Sequence, residues 1–185
     1  MTTNELDKMA GDFIISNNCI PSFLNYSGFP KNICISINEE LIHGVGSDRV
    51  IRNNDLITFD IGVTYMGHIC DSAFSVIVEP NNDMQKQLIN NAAKKCLDES
   101  VKVAINGNYT GDIGNCIETI AKQNGYEVIK DFGGHGCGNK VHEDPHIPCY
   151  GTKGSGVKLI PGMVICIEPM LMTGSDKYYI DSLND

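Results

Sequence analysis

Two acidic residues interrupt what would otherwise be unbroken apolar strands, and they restrict this chain's folding more than any other feature. Asp60 stands inside the run Leu56-Ile57-Thr58-Phe59-Asp60-Ile61, and Glu168 ends Met163-Val164-Ile165-Cys166-Ile167. A buried ionised carboxylate without a partner protonates, pairs with a cation or binds a metal. Arginine pairing is a poor solution here, because the only two arginines, Arg49 and Arg52, both lie in the polar segment just before the first of these strands. Asp71 and the stretch Gly134-His135-Gly136-Cys137-Gly138-Asn139-Lys140-Val141-His142-Glu143-Asp144-Pro145 supply further metal-ligating side chains.

With 185 residues, 42% of them hydrophobic, the chain is one domain by length and can bury a core. A net charge of −9 and the lack of a basic cluster argue against nucleic acid and anionic membrane as partners. No signal-peptide pattern and no run of eighteen apolar residues is present, so the expected setting is cytoplasmic. The eight cysteines fall singly inside predicted helices and strands, without CxxC pairs, and read as reduced thiols rather than as a disulfide framework or zinc ribbon.

Thr2-Thr3-Asn4-Glu5 has capping-box spacing and precedes Leu6, Met9, Ala10, Phe13 and Ile14 at helical intervals, predicting a helix to about Asn17. An aromatic loop over 22–30 follows, then a strand with Ile33, Ile35 and Ile37 on one face and Cys34 and Ser36 on the other. Leu56 to Gly62 and His68 to Val78 read as an antiparallel hairpin, which would bring Asp60 and Asp71 within reach of one ion. A helix from about Asp83 to Ala104 would bury Met84, Leu88, Ala92 and Cys96. Another follows Thr110, with Ile113, Ile117, Ile120 and Ala121 inward and Gly125 as its stop. The remainder is strand and glycine loop. The glycines at 133–138 lack both the Lys-Ser/Thr of a phosphate loop and the spacing of a dinucleotide fingerprint.

Taken together these motifs resemble the type I methionine aminopeptidases of the pita-bread fold, shared with prolidases and creatinases. The resemblance covers nearly the whole chain: Phe29 to Glu39 with His43-Gly44, Thr58-Phe59-Asp60-Ile61-Gly62, His68-Ile69-Cys70-Asp71-Ser72, Gly134-His135-Gly136 and Ile167-Glu168-Pro169-Met170. It implies an α+β fold, an antiparallel sheet with helices packed on one face. The spacing from His135 to Glu168 leaves no room for the insertion that marks type II enzymes.

By the same resemblance, Asp60 would bind one divalent ion, Asp71 would bridge two, and His135 and Glu168 would complete the second. Oxygen ligands with one imidazole suit cobalt, manganese, iron or zinc. His43 and His142 would contact the scissile amide, with His142 stabilising the oxyanion, and Glu168 would double as proton shuttle. Cys34, Phe23, Tyr26 and Phe29 would line the methionine pocket, where sulfur and aromatic rings suit a thioether. The implied activity is removal of the N-terminal methionine from nascent polypeptides by metal-activated hydroxide, with ribosome association carried by that substrate class alone. Each residue also has a plainer role open to it: a strand Asp can mark an edge or bulge, His142 can be a turn residue paired with acids, and Cys34 with the aromatics can be a hydrophobic cluster under a loop.

Two departures from the family pattern accompany the match. The first helix here resembles the family's second, and the family's last strand, with a further bridging glutamate, would follow Lys177-Tyr178-Tyr179-Ile180 and the chain's last residue, Asp185. Neither Glu79 nor Glu143 sits in the matching motif. The sequence is therefore expected to encode a partial catalytic domain, incomplete at both termini. A non-catalytic peptide- or partner-binding module or an inactive fragment lacking the last bridging glutamate, and an Xaa-Pro aminopeptidase or prolidase-like hydrolase, are the alternative functions.

Overall fold

A reciprocal cap starts the first helix, as the Thr2–Glu5 spacing predicts. In the computed structural model, which describes residues 1–181, the Glu5 amide donates to Thr2 Oγ1 at 3.2 Å and the Thr2 amide to the Glu5 carboxylate at 2.7 Å. Helix α1 (Thr3–Ser16) follows. The chain gathers into two compact units, one of residues 1–86, 138–141 and the segment from Tyr179, the other of residues 87–137 and 142–178.

In the first unit, β3 (Leu56–Tyr65) pairs antiparallel with β1 (Ile20–Pro21) and β2 (Cys34–Ile37), and with β4 (His68–Ile77). Met66 and Gly67 join β3 to β4, both with positive φ (50° and 84°), the conformation that a two-residue turn between right-twisted strands requires. The period of two separates the faces as the sequence predicts. Ile33, Ile35, Ile37 and Ile57 pack with Ile14 of α1, and Leu6, Ala10, Phe59, Ile61 and Val63 lie against them. Cys34, Asp60 and Gly62 take the opposite face.

In the second unit, α2 (Met84–Val103) buries Ala92, Cys96 and Ser100, one turn apart. The predicted stripe begins too early: Met84 and Leu88 are 63% and 48% exposed. Burial starts where the side chains become small enough for close approach, and Cys96 Sγ reaches the Ile117 carbonyl at 3.6 Å. Helix α3 (Thr110–Gln123) buries Ile113, Ile117, Ile120 and Ala121, and Gly125 leaves it at φ 80°, where a Cβ would be strained.

Strand β5 (Glu127–Val128) pairs with β8 (Leu171–Met172), and β6 (Gly133–Gly136) with β7 (Glu143–Pro148). The run Met163–Ile167, predicted as a full strand, makes one bridge, Gly136 to Ile165, flanked by backbone hydrogen bonds from Cys137 to Val164 and from Cys166 to His135. Among the described residues no helix is long and apolar enough to cross a membrane.

Candidate metal centre and apolar pocket

Register places the hairpin carboxylates. Asp60 pairs with Ala73 and Asp71 with Gly62, so the two aspartates are diagonal neighbours on one face of the β3–β4 ladder. Cys34 lies opposite Asp60 on the other neighbouring strand and shares that face. Phe23, Cys34 and Val141 form a buried cluster, with Phe29 and Ile69 against it. Gly62 makes this possible, because a Cβ there would collide with the Phe23 ring. The cluster brings apolar rings and a sulfur beside two carboxylates. Burial, and then the charges of Asp60, Asp71 and Asp7, push the Cys34 thiol far up, so it stays protonated.

Three of the four residues predicted for the pocket, Phe23, Phe29 and Cys34, meet in this cluster. Tyr26 stands on a short helical turn, Tyr26–Gly28, and is 38% exposed. Val141 and Ile69 were not legible as pocket residues. Val141 comes from the loop after β6, which is docked by the Ile69 amide donating to the Gly138 carbonyl at 2.7 Å. His43 is exposed, with φ 57°. It precedes Gly44, whose amide donates to Ser36 Oγ at 3.2 Å and whose carbonyl accepts from the Ile35 amide at 2.8 Å. A Cβ at Gly44 would run into the Ile35 carbonyl, so glycine is what lets this loop lie along β2.

The second unit carries His135 and Glu168. The β6–β7 register shifts between Gly134 and Gly136, leaving His135 alone against Asp144, Pro145 and His146. A bulge of this kind re-aims a side chain. His135 is buried, and its Nδ1 lies 2.9 Å from the Gly136 carbonyl oxygen. A neutral ring satisfies that carbonyl only with its proton on Nδ1, which leaves Nε2 as an electron-pair donor.

Nε2 stands 3.2 Å from Glu168 Oε1. That oxygen is buried and, among the described residues, accepts no hydrogen bond. With Nε2 unprotonated, two electron-pair donors face each other at this distance, an arrangement that a cation beside both would stabilise. Adjacent ligands around an octahedral ion with bonds of about 2.1 Å stand about 3 Å apart. The pair therefore fits a divalent metal.

The His142 ring packs edge-on against His135, centroids 4.2 Å apart at 66°. Cys149, fully buried, donates its thiol to the Glu168 carbonyl at 3.1 Å. Burial, opposed by a hydrogen bond with the Met170 backbone and reinforced by the Glu168 charge, pushes that thiol up to about 11, so it remains a donor. It holds the backbone of Glu168, a role that a single cysteine within the sequence does not advertise.

Solved structures place this architecture in a class. The methionine aminopeptidase from Rickettsia prowazekii superposes with a TM-score of 0.96 at 35% identity, over 100% of this chain and 74% of that one. The prolidase from Pyrococcus horikoshii OT3 matches at 0.72 and 25%, over 91% and 46% of the two chains. The fold is thus the pita-bread fold of these metallohydrolases. The sequence matches metallopeptidase family M24 over residues 1–182, and the chain belongs to that family. It is 44% identical to the methionine aminopeptidase of Mycoplasmoides gallisepticum across 96% of this chain and 71% of that protein.

Proposed function

We propose that this chain is a metal-dependent aminopeptidase that removes the N-terminal methionine from nascent polypeptides whose second residue is small. Asp60 and Asp71 on the hairpin, with His135 and Glu168 of the second unit, hold two divalent ions, cobalt, manganese, iron or zinc. When bound, the metal polarises the scissile carbonyl and makes hydroxide available near neutral pH.

The chain's own residues do the rest. Phe23, Phe29 and Cys34, joined by Val141 and Ile69, receive the methionine side chain, with Tyr26 at the rim. His43 and His142 orient the scissile amide, and His142 donates to the oxygen on which negative charge develops. Glu168 accepts a proton at its carboxylate and passes it to the departing amine. A cytoplasmic setting and contact with the ribosome follow from the substrate class.

The observation that carries the reading is the close approach of His135 Nε2 to Glu168 Oε1 at 3.2 Å without a hydrogen bond. Methionine release from a Met-Ala-Ser peptide by the 185-residue chain tests it. Release that a chelator abolishes and manganese or cobalt restores is the expected result. Release indifferent to the chelator, or cleavage confined to Xaa-Pro peptides, would overturn it.

A further inference from the structure

The donor set carried over from the family contains only oxygen and nitrogen, but the backbone of the second unit brings sulfur to the same place. The bridge Gly136 to Ile165 fixes the pairing of β6 with the segment that leads to Glu168. One step along, Cys166 stands opposite His135, tied by its amide donating to the His135 carbonyl at 2.7 Å. Directly opposed residues of an antiparallel pair project from the same face. Cys166 Sγ and a His135 ring nitrogen accordingly lie within 4.8 Å of each other. Two other thiols of this unit point elsewhere: Cys96 to the Ile117 carbonyl, Cys149 to the Glu168 carbonyl.

We infer that Cys166 is a further donor to the ion that His135 holds, giving it a soft ligand that favours thiophilic ions, zinc and cobalt, over manganese. This rests on the metallopeptidase reading and narrows its choice of metal. The bond forms between Sγ and the ion, and the thiol proton leaves to solvent. Sulfur raises affinity most for the softer ions, whereas manganese gains little from exchanging an oxygen donor for a thiolate.

Cobalt titration of the full chain reads this directly. Visible cobalt absorption together with a near-ultraviolet sulfur-to-cobalt charge-transfer band is expected, and Cys166→Ser should lose the second while keeping the first. In competition, the same variant should lose roughly 10-fold in its preference for zinc over manganese. Cys166→Ala, which has no oxygen to substitute for the sulfur, should behave alike. Visible bands without the near-ultraviolet band in the unaltered chain, or a near-ultraviolet band that survives in Cys166→Ser, would overturn the sulfur ligand and leave the metal site standing. Cobalt absorption that never develops would overturn the metallopeptidase reading and the sulfur ligand with it.

Discussion

In the first unit, Asp60 and Asp71 are set by a ten-residue hairpin ladder, whereas in the second, His135 and Glu168 depend on a bulge, a run of glycines and a single bridge. A continuous ladder distributes positional error over many hydrogen bonds, and a side chain that must move to admit a substitution can do so. An irregular crossing has no such slack, because the groups in contact are backbone. The contrast is sharpest at two glycines. A Cβ at Gly62 meets the Phe23 ring, and a Cβ at Gly134 meets the Cys166 carbonyl oxygen.

Gly134→Ala is the harshest way to break this comparison. It should separate β6 from the 164–168 segment, lower stability by about 3 kcal/mol and abolish metal binding, measured by urea unfolding and cobalt titration. Full cobalt binding in this variant would show that the bridge does not position the ligands.

Asp55 comes next, as an anchor of the first unit that is independent of the metal. Its buried carboxylate accepts from the Arg52 amide at 2.8 Å and the Asn38 side chain at 2.9 Å. Burial pushes its pKa up, but those bonds and the charges of Arg49 and Lys86 hold it below the ordinary 3.8. Asp55→Ala should cost about 2 kcal/mol at neutral pH. Because the folded-state pKa is depressed, the stabilisation is full above pH 3.8 and fades as the pH falls through the folded value. The gap between unaltered chain and variant should therefore narrow in acid, and a gap constant with pH would show that the charge is not responsible.

Gly62→Ala should be milder than Gly134→Ala, about 1.5 kcal/mol, because the Phe23 ring can rotate away. The displaced ring should raise KM for methionyl peptides more than it lowers kcat, with cobalt affinity unchanged. Thr2→Ala is the smallest change. Losing the helix cap should cost about 1 kcal/mol, visible in the unfolding midpoint and absent from peptide hydrolysis.

The same contrast explains what could be read in advance. Local signals with one physical outcome were legible: the Thr2–Glu5 cap, the isoleucines alternating from Ile33 to Ile37, the antiparallel hairpin and the glycine stop at Gly125. The sequence predicted only that a hairpin would bring Asp60 and Asp71 within reach of one ion; their diagonal placement comes from the register of the ladder. Features decided by distant backbone were not. Met163–Ile167 has a strand's composition, yet the bulge opposite it leaves one bridge. Met84 and Leu88 have the spacing of a buried stripe, but burial begins only where α2 comes close to α3. Val141 and Cys166 gained their surroundings from register, the first by docking of the 138–141 loop on Ile69, the second by standing opposite His135. A cysteine two residues before a strand-terminal glutamate was the available signal for the second, and it is weak without the pairing partner.

Manganese or cobalt binding at equilibrium by the full chain, compared with Asp71→Ala and His135→Ala, tests most directly whether both regions serve one centre. Each substitution alters only one unit, so loss of high-affinity binding in both variants is the predicted result. Binding in either variant as tight as in the unaltered chain, with the same stoichiometry, would contradict the account.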